Sequence, residues 1–184
     1  MMTDKKKVAV FAGASAPAEY VDVAYQVGKL LAQNDYVTIT GGGPGMMREV
    51  NRGAFEMGKE SWGICLEFRS ETLDRQYFTY HEVHDRFDER NDRLLSLADA
   101  FLVLPGGLGT VVEALQITQR EKFQEVPMDT PLLFIGDYHK PLHERFVEMQ
   151  RTGFIADDLN KLYQFVPGPP EMIQILNRHF AKKA

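Results

Sequence analysis

The chain has 184 residues, 44% hydrophobic and 26% charged, with 21 Lys+Arg against 26 Asp+Glu and a net charge of −5. That length suits one domain over residues 1–184, with a core large enough to need no disulfide or metal staple. The acidic balance argues against a binder of nucleic acid polymers or anionic membranes, and no apolar run approaches the roughly 18 residues of a membrane span.

Lys5, Lys6 and Lys7 ahead of a short apolar run imitate a leader peptide, but Gly13 breaks the run and it is too short for one. Residues 1–6 read as a flexible, solvated tail and 8–11 as a first buried strand. A helix over 19–33 carries Val23, Val27, Leu30 and Leu31 on one face. Residues 36–40 form a β-branched strand that stops at Gly41-Gly42-Gly43-Pro44-Gly45. A helix over 46–57 follows, with Met46 and Met47 filling core gaps, then strands at 61–66 and 78–83. Cys65, in the first of these, reads as a buried small hydrophobe; as the only cysteine it closes no intrachain disulfide, which fits a reducing, cytoplasmic compartment.

The helix over 87–98 has Phe87, Leu94, Leu97 and Ala98 as its apolar stripe, and 100–104 is the most apolar strand. Pro105-Gly106-Gly107-Leu108-Gly109-Thr110 then opens a helix that starts at about Gly109 and runs to 121. A strand at 131–135, a helix at 141–152, a short strand at 163–166 and a helix at 170–182 close the chain. This alternation predicts a Rossmann-like, doubly wound α/β fold: a mostly parallel sheet of about six or seven strands with helices on both faces. In such sheets ligands bind at the carboxyl ends of the strands, where the glycine-rich turns lie.

The turn from Leu104 to Thr110 carries the chemistry. Its glycines leave backbone N–H groups unshielded, and the helix behind adds its positive end, so the turn suits an anion such as phosphate, with Thr110 adding a hydroxyl. It is neither a Walker loop nor a GxGxxG fingerprint. Two glycine-rich turns after two apolar strands favour a nucleotide or sugar-phosphate site over a plain strand–helix turn. Glu113 lies ~5 Å further up the same helix face, suited to act as a base or charge stabiliser against an uncharged part of the ligand. Arg90, with Asn91, interrupts the apolar stripe of its own helix. An inward guanidinium needs a partner, and Asp88, Glu89 and Asp92 lie on other faces, so Arg90 is assigned to a ligand or active-site role. His81 and His84 would point to opposite faces of a strand and lack the HExxH spacing, so no metal site is expected. His139 and His143 stand at a helix start, as caps or surface residues.

With both glycine loops and these two charges placed, the sequence resembles the LONELY GUY (LOG) family, members of which were mislabelled lysine decarboxylases. The PGGxGTxxE motif is met by Pro105, Gly106, Gly107, Gly109, Thr110 and Glu113. The GGGPG-x-M turn is met by residues 41–47 and followed by Asn51-Arg52-Gly53-Ala54. An FCGSS-like turn appears as Phe11-Ala12-Gly13-Ala14-Ser15, Arg90 stands fifteen residues before Pro105, and Ala98-Asp99-Ala100-Phe101 also matches. The likeness runs from about Val8 to Phe154.

The resemblance implies hydrolysis of the N-glycosidic bond of a nucleoside 5′-monophosphate, giving free base and ribose 5-phosphate, with no cofactor and no metal. It makes Arg90 and Glu113 the catalytic pair. Gly106, Gly107, Gly109 and Thr110 would hold the phosphate, with Gly42, Gly43 and Ser15 nearby. Thr118 and Glu71 would contact substrate, although Thr118 lies about 140° around the helix from Glu113, so its role would need a second subunit or local bending. A homodimer is expected. Two residues depart from the family: Asn91 stands where lysine is usual, and Arg48 where glutamate is common, which would put extra positive charge near the sugar-phosphate loop. Proteins of this fold that carry the molybdenum cofactor make a non-catalytic carrier the alternative. A pyridoxal-dependent decarboxylase would need a lysine for its Schiff base, and no lysine lies in a glycine-rich loop.

Overall fold

The structure, a computed structural model, describes residues 4–67 and 74–182. Side chains on a strand alternate between faces, and here each face is buried against helices. Val8 and Val10 enter one core while Ala9 and Phe11 enter the other. The elements in chain order are β1 (Lys7–Phe11), α1 (Ala18–Gln33), β2 (Val37–Thr40), α2 (Met46–Glu56), β3 (Ser61–Leu66), β4 (Tyr80–His84), α3 (Phe87–Leu97), β5 (Ala100–Val103), α4 (Leu108–Lys122), β6 (Leu132–Ile135), α5 (Lys140–Arg151), α6 (Leu159–Leu162), β7 (Gln164–Val166) and α7 (Pro169–Ala181). The strands form one seven-stranded sheet in the order β4-β3-β2-β1-β5-β6-β7, every pairing parallel.

Helices α1, α2 and α7 cover one face through Val27, Leu31, Val50, Met172 and Leu176. Helices α3 and α4 cover the other through Leu94, Leu95, Ala114 and Ile117, with Phe146 of α5 and Leu159 of α6 beside them. Helix α2 seats closely on α1 because a Cβ at Gly28 would lie 1.9 Å from the carbonyl oxygen of Val50, a separation no side chain tolerates. The strand order reverses at β1: the chain winds out through β2, β3 and β4, then returns to pair β5 on the other side of β1. That reversal opens a crevice at the carboxyl ends of β1 and β5. Among the described residues no helix is long and apolar enough to cross a membrane.

Four readings of the sequence change. The lysine run is tied down: Lys7 opens β1, the Val37 N–H donates to the Lys6 carbonyl at 2.9 Å, and Lys5 and Lys6 pair with Asp35 and Asp99 at 2.8 and 3.4 Å. Strand β4 starts at Tyr80, later than expected, because a 3₁₀ turn over Arg75–Tyr77 occupies the approach to it. The short α6 has too few residues for an apolar period to be read; its start is marked only by Asp158, whose side chain accepts from the Asn160 N–H at 3.1 Å. His139 is buried, packed on Phe134, with Nε2 donating to the Leu104 carbonyl at 3.1 Å. Burial lowers its pKa below the usual histidine value.

Glu121, in the last turn of α4, is 1% exposed, and among the described residues neither carboxyl oxygen has a hydrogen-bond partner. Burial, with the nearby charge of Asp129, pushes its pKa from 4.5 up to about 8. Between those values the native protein holds a proton that the unfolded chain has released. Stability therefore falls as pH rises through this window, by up to ~1.4 kcal/mol per pH unit, and levels off above it. Urea unfolding of Glu121→Gln across the same window should show a flatter pH dependence and a gain over wild type that is largest near pH 8. Parallel curves for the two proteins would refute this account of Glu121.

Candidate active site

Three turns meet at the crevice, and backbone hydrogen bonds hold them together. The Leu104 N–H donates to the Phe11 carbonyl at 2.9 Å, the Gly13 N–H to the Pro105 carbonyl at 3.0 Å, and the Met46 N–H to the Gly13 carbonyl at 3.0 Å. His139 holds the Leu104 carbonyl from behind. Between the turns lies a cleft of about 310 Å³, walled by Gly13 and Ala14 after β1, Gly41, Gly43 and Met47 after β2, Leu66, Phe87 and Arg90 of the β3–α3 side, and Gly107, Gly109, Thr110 and Glu113 of α4. That volume is at the small end for ligand sites.

Helix α4 begins at Leu108, one residue earlier than expected, with Gly107 as its cap residue; it has no capping side chain and no acidic residue in its first turn. Its first N–H groups and positive dipole end are thus left without an internal partner, as an anion site requires. Gly107 and Gly109 border open space, where an added Cβ would meet nothing within 4 Å among the described residues, and Gly106 lies beneath Thr110, where a Cβ would come within 2.2 Å of Oγ1. Thr110 is 4% exposed.

Arg90 of α3 and Glu113 of α4 meet at the cleft wall. Arg90 Nη1 donates to Glu113 Oε1 and, at 2.6 Å, to Asn91 Oδ1; Nε donates to the Ile64 carbonyl at 2.8 Å. The side chains are 7% and 12% exposed. A cation and an anion removed this far from water gain little net stability over apolar residues of the same volume, so packing alone does not account for the pair. Nη2 lies over Gly41, where a Cβ would come within 1.9 Å of it. The partner that the sequence left unnamed for Arg90 is therefore Glu113, the other candidate.

Of the residues assigned from sequence, Arg90, Glu113, Gly43, Gly107, Gly109 and Thr110 come together around the cleft, with Gly106 directly behind it. Gly42 turns away: its φ is +67°, its N–H donates to Thr40 Oγ1 at 3.0 Å, and a Cβ there would strike Cys65 Sγ. Its neighbour Gly41 takes the position in the cleft. Ser15 is exposed outside the cleft wall, which Ala14 forms instead. Thr118 is buried, donates to the Leu115 carbonyl at 2.8 Å and borders a separate hollow with Lys122, Phe146 and Phe154. Within one chain it does not reach the Arg90–Glu113 pair. Glu71 lies outside the described residues.

Met46 is in the core, whereas Met47 lies in the cleft against Gly43. Phe87 is 47% exposed at the cleft wall and does not belong to the apolar stripe, because α3 starts there. Arg48 brings no free charge to the loop: Glu49 and Asp74 hold it at 2.7 and 2.5 Å, and it lies over the Tyr77 ring. Cys65 is fully buried, and burial pushes its thiol up to about 11, which leaves it un-ionised and inert near neutral pH. His84 pairs with Glu82 at 3.2 Å and His143 Nδ1 lies 2.9 Å from the Tyr163 hydroxyl. Among the described residues no three His, Cys, Asp or Glu side chains gather into a metal-binding group.

Sequence reasoning missed the polar clamp behind the second glycine turn. Asn51, fully buried on α2, joins Thr40 and donates to Ser61 Oγ at 2.8 Å and to the Trp62 carbonyl at 3.3 Å. Its signal was a polar residue among the inward positions of a helix. It also missed Gln116, whose Oε1 accepts from Asn91 Nδ2 at 3.1 Å.

Residues 47–176 match the family described as "Possible lysine decarboxylase". The chain belongs to this family, the LOG family. A LOG-family relative, the cytokinin riboside 5′-monophosphate phosphoribohydrolase of Oryza sativa subsp. japonica, is 26% identical over 183 residues, 95% of this chain and 74% of that one. Another phosphoribohydrolase of the same description, from Arabidopsis thaliana, is 24% identical over 186 residues, 96% of this chain and 85% of that one. Among solved structures, the molybdenum cofactor binding protein of Rippkaea orientalis superposes with a TM-score of 0.72 at 20% identity, over 96% of this chain and 98% of that one. The LOG-family chain therefore shares its fold with that protein.

Proposed function

We propose that this protein hydrolyses the N-glycosidic bond of a nucleoside 5′-monophosphate, AMP-like or a cytokinin riboside monophosphate, to free base and ribose 5-phosphate. The observation that carries the reading is the buried Arg90–Glu113 pair at the wall of a cleft that also contains the uncapped start of α4. The distant phosphoribohydrolase relatives support it.

In this reading the phosphate lies on the N–H groups of the turn from Gly107 to Thr110 and takes the helix dipole. The ribose then extends along α4 toward Glu113, about one helical turn or ~5 Å further on. The base lies against Met47, Leu66 and Phe87, an apolar wall suited to a flat ring. As the C1′–N bond breaks, its electron pair leaves with the base, which takes up a proton, and the sugar acquires oxocarbenium character. Glu113 stabilises that cation and orients the water, whose hydroxide equivalent adds to C1′. A guanidinium offers donors but no acceptor, so Arg90 serves charge and position.

The residues present do not fit pyridoxal chemistry: among the described residues no lysine lines the cleft, so the aldehyde would meet no amine there. A non-catalytic carrier of an anionic cofactor is the second reading. It is disfavoured by the buried Arg90–Glu113 pair, a carboxylate and a guanidinium at the cleft that a passive carrier would not need.

A second copy of the chain is the proposed partner. Leu108, Val112 and Phe123 are 87%, 43% and 69% exposed along α4, at helical spacing on one side of it. A two-fold contact would cover this stripe with its own copy. Sedimentation velocity should give twice the chain mass for wild type and the single mass for Leu108→Asp/Phe123→Asp; a wild-type monomer would refute the dimer. For the reaction, the protein incubated with a panel of nucleoside 5′-monophosphates should release free base, resolved by chromatography. Glu113→Gln and Arg90→Ala should each cut release by about 100-fold or more with circular dichroism unchanged. No base from any nucleotide, or wild-type turnover by Glu113→Gln, would sink the reading.

A further inference from the structure

A buried guanidinium and carboxylate facing each other ordinarily settle into the two-point fork, with parallel N–H···O bonds to both carboxylate oxygens. Here they do not. Glu113 touches Arg90 through Oε1 and Nη1 alone. Two of the three guanidinium nitrogens are engaged by other acceptors. The Ile64 carbonyl takes Nε at 2.8 Å, which denies the side-on fork through Nε and Nη2. Asn91 Oδ1 takes one hydrogen of Nη1 at 2.6 Å, so Glu113 shares that nitrogen with the amide and is held to its other hydrogen. Among the described residues nothing accepts from Nη2 or donates to Glu113 Oε2. Both belong to residues that line the cleft, and Nη2 lies over Gly41 of its wall.

Asn91 is itself held. It is 1% exposed, and its Nδ2 donates to Gln116 Oε1 at 3.1 Å. Gln116 is on α4, one turn beyond Glu113. The chain Arg90–Asn91–Gln116 therefore braces α3 against the helix that carries Glu113, and fixes the Asn91 amide with its oxygen toward the guanidinium. We propose that Asn91 is a positioning residue that keeps the Arg90–Glu113 pair open at one point, reserving Nη2 and Oε2 for the ligand, and that Gln116 orients Asn91 for this task. The inference rests on the glycosidase reading for its catalytic consequence, but the geometry of the pair stands apart from it.

Without the Asn91 oxygen, the carboxylate closes onto Nη1 and Nη2 and withdraws from the cleft. A misplacement of about 1 Å at a reacting centre costs of the order of 10²-fold in rate. Asn91→Leu, close in volume and without an acceptor, should therefore lower kcat for base release by about 10–100-fold, with KM changed far less, because the phosphate turn is untouched. Gln116→Leu should lower kcat in the same direction, whereas Gln116→Glu, which keeps an acceptor for Asn91, should restore most of the rate. Combining Asn91→Leu with Gln116→Leu should add nothing to the first substitution.

Crystal structures of wild type and Asn91→Leu give a readout independent of turnover, with Gln116→Leu as the substitute should the first variant not fold. A two-point Arg90–Glu113 contact in the variant, against a single contact in wild type, supports the proposal. An unchanged single contact overturns it, as would equal rates for Gln116→Leu and Gln116→Glu in an active enzyme. A wild type inactive on every nucleotide would overturn the glycosidase reading alone, and the crystal structures would still decide the role of Asn91.

Discussion

Two opposite charges taken out of water on neighbouring helices constrain everything around them. The Arg90 guanidinium cannot be accommodated by apolar neighbours, so the fold must supply oxygens for it. It draws the Ile64 carbonyl from the end of β3, Asn91 from its own helix and Glu113 from α4. It also fixes what lies beneath it: only glycine at position 41 leaves room for Nη2. A residue that was an irregularity in one helix thus sets the chemistry of a strand end, a turn and a second helix.

The sheet topology makes this gathering possible. Because β5 returns to pair β1 after the excursion through β2, β3 and β4, the turns after β1, β2 and β5 end in one place, bonded through Gly13, Met46 and Pro105. The first turn of α4 then presents free N–H groups at one end of the cleft and Glu113 one helical turn away. In the proposed function, positive potential for the phosphate and a carboxylate for the cationic sugar lie about one helical turn apart, so neither opposes the other's role.

Much of this was legible in the sequence, for specific reasons. Parallel strands buried on both faces read as continuous apolar runs, as at 8–11 and 100–104, and the glycine turns mark their ends. Arg90 stood out because charge is rare on a buried helix face. What was not legible depended on direction and tertiary partner. Glycine runs give no indication of which residue faces the cleft, so the sequence points to Gly42 although Gly41 lines the wall. Phe87 belongs to the right helix but to its first, open turn. His139 and Glu121 lie in polar-looking stretches whose burial is imposed by distant elements. Arg48 looked available until Asp74, far along the chain, paired with it.

The central claim is positional: the turn into α4 holds a mononucleotide's phosphate and thereby sets its C1′ beside Glu113. The most direct test is a crystal structure of Glu113→Gln, slowed in turnover, soaked with the nucleoside 5′-monophosphate that the wild-type protein cleaves best. The account predicts phosphate oxygens on the backbone N–H groups from Gly107 to Thr110 and C1′ within contact distance of the residue 113 side chain. A nucleotide bound the other way round, with its base on that turn, or seated elsewhere on the molecule, would contradict it.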